Sequence, residues 1–251
     1  MLASVALARQ ELGRIRDAFE TDARIVHRLI SQRVVQLDAV LATLALLQGA
    51  QNASAPEQRL SSVYPHILAV QRRDPGADWP DGRMRSAESA SMAAKRAALA
   101  WVDFSQGRYQ LVLAATPASF GLLMDLRAVV PWTEWPMTPE TSAVQVHLEH
   151  EGQRFELQRG QPGLGGWSFD FRKHLAADSQ PFDVVAMRHV GWGELPWPQM
   201  LAVSAAIAAA LAALLALSRQ RAGRQRAEEL LRLGQVARLN TLGELAAGMA
   251  H

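Results

Sequence analysis

Apolar residues recur at every third or fourth position through residues 9–47, which is the spacing of one face of an α-helix. The apolar positions are Leu12, Ile15, Phe19, Val26, Leu29, Leu37, Val40, Leu44 and Leu47. Only Asp22 and Arg33 interrupt this stripe, and no glycine or proline follows Gly13 within the run. The pattern therefore predicts one long helix, which either pairs with a twin in a dimer or carries a domain away from a membrane.

The periodicity changes after residue 65. Short apolar runs separated by turn-like residues predict strands at 66–74, 97–104, 108–116, 120–126 and 180–193. Residues 143–152 and 153–160 alternate apolar and polar side chains about Gly152, as the two arms of a β-hairpin do. Residues 86–100 predict a short helix. This combination predicts an α+β domain on an antiparallel sheet.

A third pattern predicts a transmembrane helix at residues 198–218. From Met200 to Leu217 the chain has no charged side chain and a single hydroxyl, that of Ser204. As a helix these residues extend about 27 Å, close to the thickness of a bilayer's hydrocarbon core. Tryptophans precede the segment and arginines follow it, at Trp192, Trp197, Arg219, Arg221, Arg224 and Arg226. The positive-inside rule then places residues 219–251 in the cytoplasm and residues 1–195 outside. The alternative is a buried core helix.

The first residues, MLASVALA, are apolar but too short to cross a membrane. They lack the basic start and the small-residue cleavage site of a signal peptide. We interpret them as the remnant of a first transmembrane helix. The predicted order is this remnant (1–8), a membrane-leaving helix (9–47), an extracytoplasmic sensor domain (48–195), the transmembrane helix (198–218) and a cytoplasmic segment (219–251).

The composition of the chain limits the kinds of partner and functional site that it can have. The formal net charge is only +2, so the pI of about 9.5 does not indicate a nucleic-acid binder. The chain has no cysteine, which excludes a disulfide, a thiolate metal site and a cysteine nucleophile. The histidines of the extracytoplasmic part are scattered, and we expect no metal site and no catalytic carboxylate pair there. A binding pocket is the favoured function of this part.

Four residues are candidates for that pocket. Arg72, Arg73, Trp101 and Arg108 are predicted to contact an anionic ligand, because guanidinium groups bind carboxylates through paired hydrogen bonds. The alternative interpretation is that they are solvated side chains at strand ends.

The order of the predicted helices and strands resembles that of a known class of sensor domain. A long membrane-leaving helix, an antiparallel sheet and a last strand that runs into a membrane helix follow one another along the chain. Together with the stretch FGLLMDLRAVVPW at 120–132, this order resembles the PAS-like Cache sensor domains of bacterial receptors. The resemblance implies an extracytoplasmic domain that binds a small molecule.

The last residues carry a second resemblance. In RLNTLGELAAGMAH (238–251) an apolar seam of the kind found in dimeric helices follows 3-4-3 spacing at Leu239, Leu242, Ala246 and Met249. This stretch resembles the start of the H-box in the coiled-coil-like dimerisation helix of bacterial sensor histidine kinases. The resemblance implies that His251 is the phosphoacceptor. Its neutral imidazole would attack the γ-phosphate of ATP and pass the phosphoryl group to a response regulator.

The kinase resemblance also implies partners and cofactors. ATP and Mg²⁺ belong to a catalytic domain whose motifs are not in this sequence, so we expect the chain alone to bind no cofactor and to be inactive. The implied partners are a second copy of the chain, lipid of the bacterial inner membrane, a small-molecule ligand of the organic-acid class and a cytoplasmic response regulator, with no nucleic acid. Two rivals stay open: a chemoreceptor-like receptor and a cyclase-type receptor with a different output domain. The sequence after His251 discriminates among them.

Overall fold

A computed structural model describes residues 2–47, 60, 63–161 and 165–221 of the chain. In chain order the elements are α1 (Leu2–Leu47), β1 (Ile67–Arg73), α2 (Gly82–Ala94), β2 (Ala98–Asp103), β3 (Arg108–Leu113), β4 (Ser119–Asp125), β5 (Val144–His150), β6 (Gln153–Gln158), β7 (Trp167–His174), β8 (Asp183–Val190) and α3 (Trp197–Arg221). Short 3-10 turns lie at Trp132–Glu134 and Trp192–Glu194. The described residues confirm the predicted α+β class with a long N-terminal helix.

The strands form two antiparallel sheets rather than the single sheet expected from the sequence. The first sheet has the order β1-β4-β3-β2 and the second the order β6-β5-β8-β7. The predicted hairpin about Gly152 is confirmed, because β5 pairs with β6 from Val146 to His150. The sequence analysis missed β7, although Trp167, Phe169 and Phe171 alternate with polar residues as a half-buried strand requires.

Helix α2 begins earlier than its predicted start at residue 86. The side chain of Asp81 accepts a hydrogen bond from the backbone N–H of Arg83 at 2.9 Å, which caps the first turn. The helix ends where Lys95 adopts a left-handed conformation with φ of 53°. This ending leaves room for β2 to begin at Ala98.

Helix α1 buries one continuous stripe of side chains in the core. Its members are Ile15, Phe19, Ala23, Val26, Ile30, Val34, Leu37 and Leu41. Their spacing of four, four and three repeats every eleven residues, which keeps a stripe on one side of a nearly straight helix. Leu29 and Val40, which the sequence analysis placed in the stripe, are only partly buried.

Both sheets contribute to the same core cluster as α1. The ring of Tyr109 on β3 meets that of Phe182 edge-on, with centroids 5.4 Å apart, and its hydroxyl donates to Gln180 Oε1 at 2.6 Å. Because Gln180 and Phe182 belong to the segment between β7 and β8, this segment of the chain contacts the first sheet as well. Phe19 of α1 stacks on Phe169 of β7, with ring centroids 6.5 Å apart.

The chain divides into two compact units, Gly13–Glu194 and Met1–Leu12 with Leu195–His251. Of the second unit the structure describes residues 2–12 and 195–221. The sequence boundary between residues 47 and 48 lies inside the first unit, because the α1 stripe belongs to the core of that unit. The predicted membrane span, 198–218, falls within α3.

Candidate functional site

A buried ion pair joins β1, α2 and β4. The guanidinium of Arg73 donates to Glu88 Oε1 from Nη2 at 2.5 Å and from Nε at 3.1 Å. Trp79 Nε1 donates to the other carboxylate oxygen at 3.0 Å, and the hydroxyl of Ser119 also donates to Oε1. Since Glu88 is buried in this cluster, its four hydrogen bonds compensate for the loss of water around the charge.

The electrostatics of Glu88 follow from these contacts. Burial by itself raises its pKa, but hydrogen bonds from Ser119, Arg73 and Trp79 and the charge of Arg73 hold the pKa below the usual value. The third guanidinium nitrogen of Arg73, Nη1, donates to the carbonyl oxygen of Ala77 at 2.8 Å. Arg73, one of the predicted ligand residues, is therefore engaged inside the protein, and the arrangement is that of a structural ion pair.

The structure separates the other predicted ligand arginines. Arg73 lies opposite Ser119 at one end of β4, whereas Arg108 lies opposite Asp125 at the other end. Six residues of strand separate these positions by about 20 Å. Arg72 pairs with the exposed carboxylate of Asp74 at 2.9 Å. Arg72 and Arg73 therefore share one end of the first sheet, and Arg108 lies at the opposite end.

Trp101 lies on the edge strand β2, opposite Gln110 of β3. The guanidinium of Arg83 is 5.6 Å from the centroid of the Trp101 ring, within the range of a cation–π contact. Gln110 is 3 % exposed, and its amide nitrogen has no hydrogen-bond partner in the described part of the chain. This donor went unnoticed in the sequence, although a glutamine inside the apolar run RYQLVLA is a visible signal.

A cleft of about 670 Å³ opens between α1, the end of α2 and the end of β3. Its lining is mostly apolar, with Leu41, Met92 and Leu113 among its members. Lys95 and Arg96 supply two cations at its margin. A cleft with apolar walls and a few charged groups is typical of small-molecule sites. None of the four predicted ligand residues lines it.

The charged groups at this cleft are already partly engaged. Arg96 forms an ion pair with Asp178, from the segment between β7 and β8. Asp38 of α1 accepts from the hydroxyl of Ser179 at 2.7 and 2.8 Å. Burial raises the pKa of Asp38, and the Ser179 hydrogen bond and the Arg96 charge offset part of that rise. Sequence reasoning could not find this cleft, because its walls come from distant parts of the chain.

The second sheet carries a separate network of charges. Arg172 donates to Glu149 Oε2 at 2.7 Å and to Asp183 Oδ2 at 3.1 Å. His147 is 4 % exposed, and its Nε2 atom, 3.8 Å from Glu149 Oε2, has no hydrogen-bond partner among the described residues. Burial lowers the pKa of His147, and the charge of Arg154 lowers it further. The described residues include no group of three or more metal-ligating side chains that could hold a metal ion.

Helix α3 is long and apolar enough to cross a membrane. None of its most apolar window of 18 residues is buried. Large apolar side chains face outward along it, among them Leu201, Leu211, Leu214 and Leu215, which are 56 to 66 % exposed. A core helix is mostly buried, so this exposure favours a membrane helix over the core-helix alternative.

The predicted phosphoacceptor, His251, and the rest of the predicted dimerisation segment after residue 221 lie outside the described residues. No family model, curated protein or solved structure matches the chain.

Proposed function

We propose that this chain is the signal-sensing half of a membrane-bound sensor histidine kinase in the bacterial inner membrane. Residues before α3 bind a small molecule outside the membrane, α3 crosses the bilayer, and residues 219–251 form the cytoplasmic dimerisation helix with its phosphoacceptor, His251. The chain works as a homodimer and addresses a cytoplasmic response regulator. ATP and Mg²⁺ bind to a catalytic domain outside this sequence.

The observation that carries the proposal is the connection from sheet to membrane. β8, a central strand of the second sheet, ends at Val190, and α3 begins at Trp197. A 3-10 turn at Trp192–Glu194 occupies part of the short connection. Gly191 donates its backbone N–H to Glu194 Oε1 at 3.0 Å, and Arg188 of β8 contacts the same carboxylate at 3.1 Å. These contacts restrain the chain as far as Glu194, and only residues 195 and 196 separate Glu194 from the start of α3.

Two features support a ligand-binding rather than a catalytic role outside the membrane. The Glu88 carboxylate is held by four hydrogen bonds, which removes it as a free base. The 670 Å³ cleft offers apolar walls, and Lys95 supplies a cation beside the Arg96–Asp178 ion pair, which supports a small organic anion as the ligand. The Cache-like element order supports the same role. We propose the cleft, ahead of the Arg72 and Arg108 positions, as the ligand site.

The kinase assignment is supported by the H-box-like residues 238–251. It is tested on the complete product of the gene, in inverted membrane vesicles supplied with Mg²⁺ and ATP labelled at the γ-phosphate. We expect label that is lost in acid and retained in alkali, the behaviour of a phosphoramidate, and we expect none in the His251→Gln variant. Unlabelled wild type, or label that persists in His251→Gln, contradicts the proposal.

The same vesicles decide between the rivals. Conversion of a nucleoside triphosphate to a cyclic nucleotide, without label on the protein, identifies the cyclase-type receptor. Absence of both activities, with binding of a chemotaxis-type cytoplasmic adaptor, identifies the chemoreceptor-like receptor.

The ligand site is tested by a thermal-shift screen of organic acids and amino acids on the full chain in detergent. A ligand that raises the melting temperature of the wild type is then tested on Lys95→Ala, which removes a cation of the cleft. Arg85→Ala is the matched control, because Arg85 is an exposed cation of the same helix that pairs with Asp78 at 3.7 Å. We expect Lys95→Ala to weaken binding at least fivefold and Arg85→Ala to leave it unchanged. Equal binding by the two variants places the ligand elsewhere.

A further inference from the structure

The first turn of α1 contacts α3 through two serines. The hydroxyl oxygens of Ser4 and Ser204 are 2.8 Å apart. Ser204 also donates to the carbonyl of Met200 at 2.8 Å. When Ser204 donates to this carbonyl its single proton is engaged, and Ser4 is then the donor in the contact between the helices.

Independent markers place the two serines at one depth in a bilayer. Ser4 precedes Arg9, the first charged residue of α1, by five residues, which is about 7.5 Å of helix. Ser204 follows Trp197, an interfacial residue type, by seven residues, which is about 10.5 Å. For an outgoing α1 and an ingoing α3 these distances run from the same membrane surface. They agree to about 3 Å.

The side chains around the contact suit lipid and close helix packing. Residues 2–8 contain no charge, and Val5 is 48 % exposed. Small residues recur at every fourth position on both helices, at Ser4 and Ala8 and at Ser204, Ala208 and Ala212. Small residues at this spacing let membrane helices approach closely, and serine hydroxyls hydrogen-bond between them.

We propose that residues 2–8 of α1 are embedded in the membrane beside α3, and that the Ser4–Ser204 hydrogen bond sets the register of the two helices there. The proposal rests on the proposed membrane function of α3. α1 continues without interruption to Leu47 and carries the core stripe of the larger unit. The contact consequently ties the helix that enters the sensor core to the helix that crosses the bilayer.

Cysteine cross-linking tests the register, and the absence of native cysteine makes the chain a clean background. The double variant Ser4→Cys/Ser204→Cys is oxidised in native membranes with copper phenanthroline. We expect an intrachain disulfide, seen as faster migration of the monomer band that a reductant reverses. The matched pairs Val5→Cys/Ser204→Cys and Ser4→Cys/Ala205→Cys turn one side chain by about 100°. We expect these pairs to cross-link at least fivefold more slowly.

Equal rates for the three pairs, absence of a cross-link, or cross-links only between two chains contradicts the register. Each sample is also extracted with alkaline carbonate to separate the two proposals. A chain that stays with the membrane but shows no Ser4–Ser204 preference overturns this inference alone. A chain that alkaline carbonate releases overturns the membrane function itself.

The embedding of residues 2–8 has its own measurement, which does not depend on the disulfide. Single variants Val5→Cys and Arg16→Cys are treated with a membrane-impermeant maleimide from either side of the membrane. Arg16 is 62 % exposed at its side chain and lies beyond Arg9. We expect Arg16→Cys to react and Val5→Cys to react only after detergent is added. Equal labelling in intact membranes contradicts the embedding.

Discussion

Glu88 links α2 to β1 and β4 of the first sheet through its hydrogen bonds with Arg73 and Ser119. Replacing Glu88 with Gln removes the charge that faces Arg73, and leaves buried donors without a full set of acceptors. We expect a loss of roughly 2–4 kcal/mol in the free energy of unfolding. Asp74→Asn is the control, because its partner Arg72 is 41 % exposed and Asp74 is 65 % exposed. Such a pair contributes about 1 kcal/mol or less. Chemical denaturation of the purified variants measures both.

The depressed pKa of Glu88 gives this contribution a pH dependence. A carboxylate whose pKa in the folded state lies below the ordinary value of 4.5 binds fewer protons folded than unfolded. Its stabilisation is complete above about pH 4.5 and is lost as the pH falls through the folded pKa. The stability difference between wild type and Glu88→Gln should therefore shrink as the pH falls from about 4.5 to about 3. A difference that is constant or grows over this range contradicts the assignment.

Substitution of Gly166, which directly precedes β7, tests how closely the backbone approaches β8 at this point. Its φ is +109°, and a Cβ built there would lie 2.1 Å from the carbonyl oxygen of Val190. We expect Gly166→Ala to lower the free energy of unfolding by at least about 2 kcal/mol, through backbone strain and displacement of β8. Gly82→Ala is the matched control, since nothing lies within 4 Å of its Cβ position and its φ is ordinary. Unchanged stability in Gly166→Ala would exclude the close approach of these strands.

Among the secondary-structure elements, α1 contributes a stripe of buried side chains to the core of the larger unit. Two neighbouring valines make this testable: Val34 is 1 % exposed, whereas Val35 is 48 % exposed. We expect Val34→Ala to cost roughly 2–3 kcal/mol of unfolding free energy, because it removes buried methyl groups and leaves a cavity. Val35→Ala should change it by less than about 0.5 kcal/mol. The reverse order in thermal or chemical denaturation would mean that α1 presents a different face.

The α1 stripe also shows why its register could not be taken from the sequence. Leucines and valines occur on more than one face of α1, and Leu29 and Val40 fit a 3-4 pattern as well as Ile30 and Val34 do. Only packing against Phe169 and the other core side chains selects the face with the eleven-residue repeat. The length of the helix, in contrast, follows from local propensity and the absence of breakers.

For the molecule as a whole, the exposed apolar surface of α3 supports the proposed membrane span. We expect the chain to remain in the membrane fraction after alkaline carbonate extraction. The double variant Leu211→Arg/Leu214→Arg should be extracted, because each arginine near the centre of a membrane helix costs about 2.5–3.5 kcal/mol. The control is Val35→Arg/Thr43→Arg, which adds the same charge at exposed positions of α1. Retention of both variants, or release of the wild type, contradicts a membrane-spanning α3.

The candidate ligand site was predicted only in part from the sequence, and the structure changed which residues can form it. Arg72, Arg73, Trp101 and Arg108 were proposed from residue type alone, because guanidinium groups bind carboxylates through paired hydrogen bonds. The sheet register places Arg73 and Arg108 at opposite ends of β4 and engages Arg73 with Glu88. The residues that line the cleft between α1, α2 and β3 are spread over 78 positions of sequence, from Asp38 to Thr116. Contacts between residues this far apart leave no local pattern in the sequence.

Local sequence patterns were enough to predict the features that arise from neighbours along the chain. These are the helix of α1, the β5–β6 hairpin, most of the other strands and the apolar span of α3. Periodicity, turn residues and hydrophobicity act over a few residues, and they can therefore be read without a fold. Only the assembled fold reveals the division into two sheets, the buried face of α1, the Glu88 ion pair and the Ser4–Ser204 contact. Each of these depends on which distant side chains exclude water together, and that choice is made only when the whole core assembles.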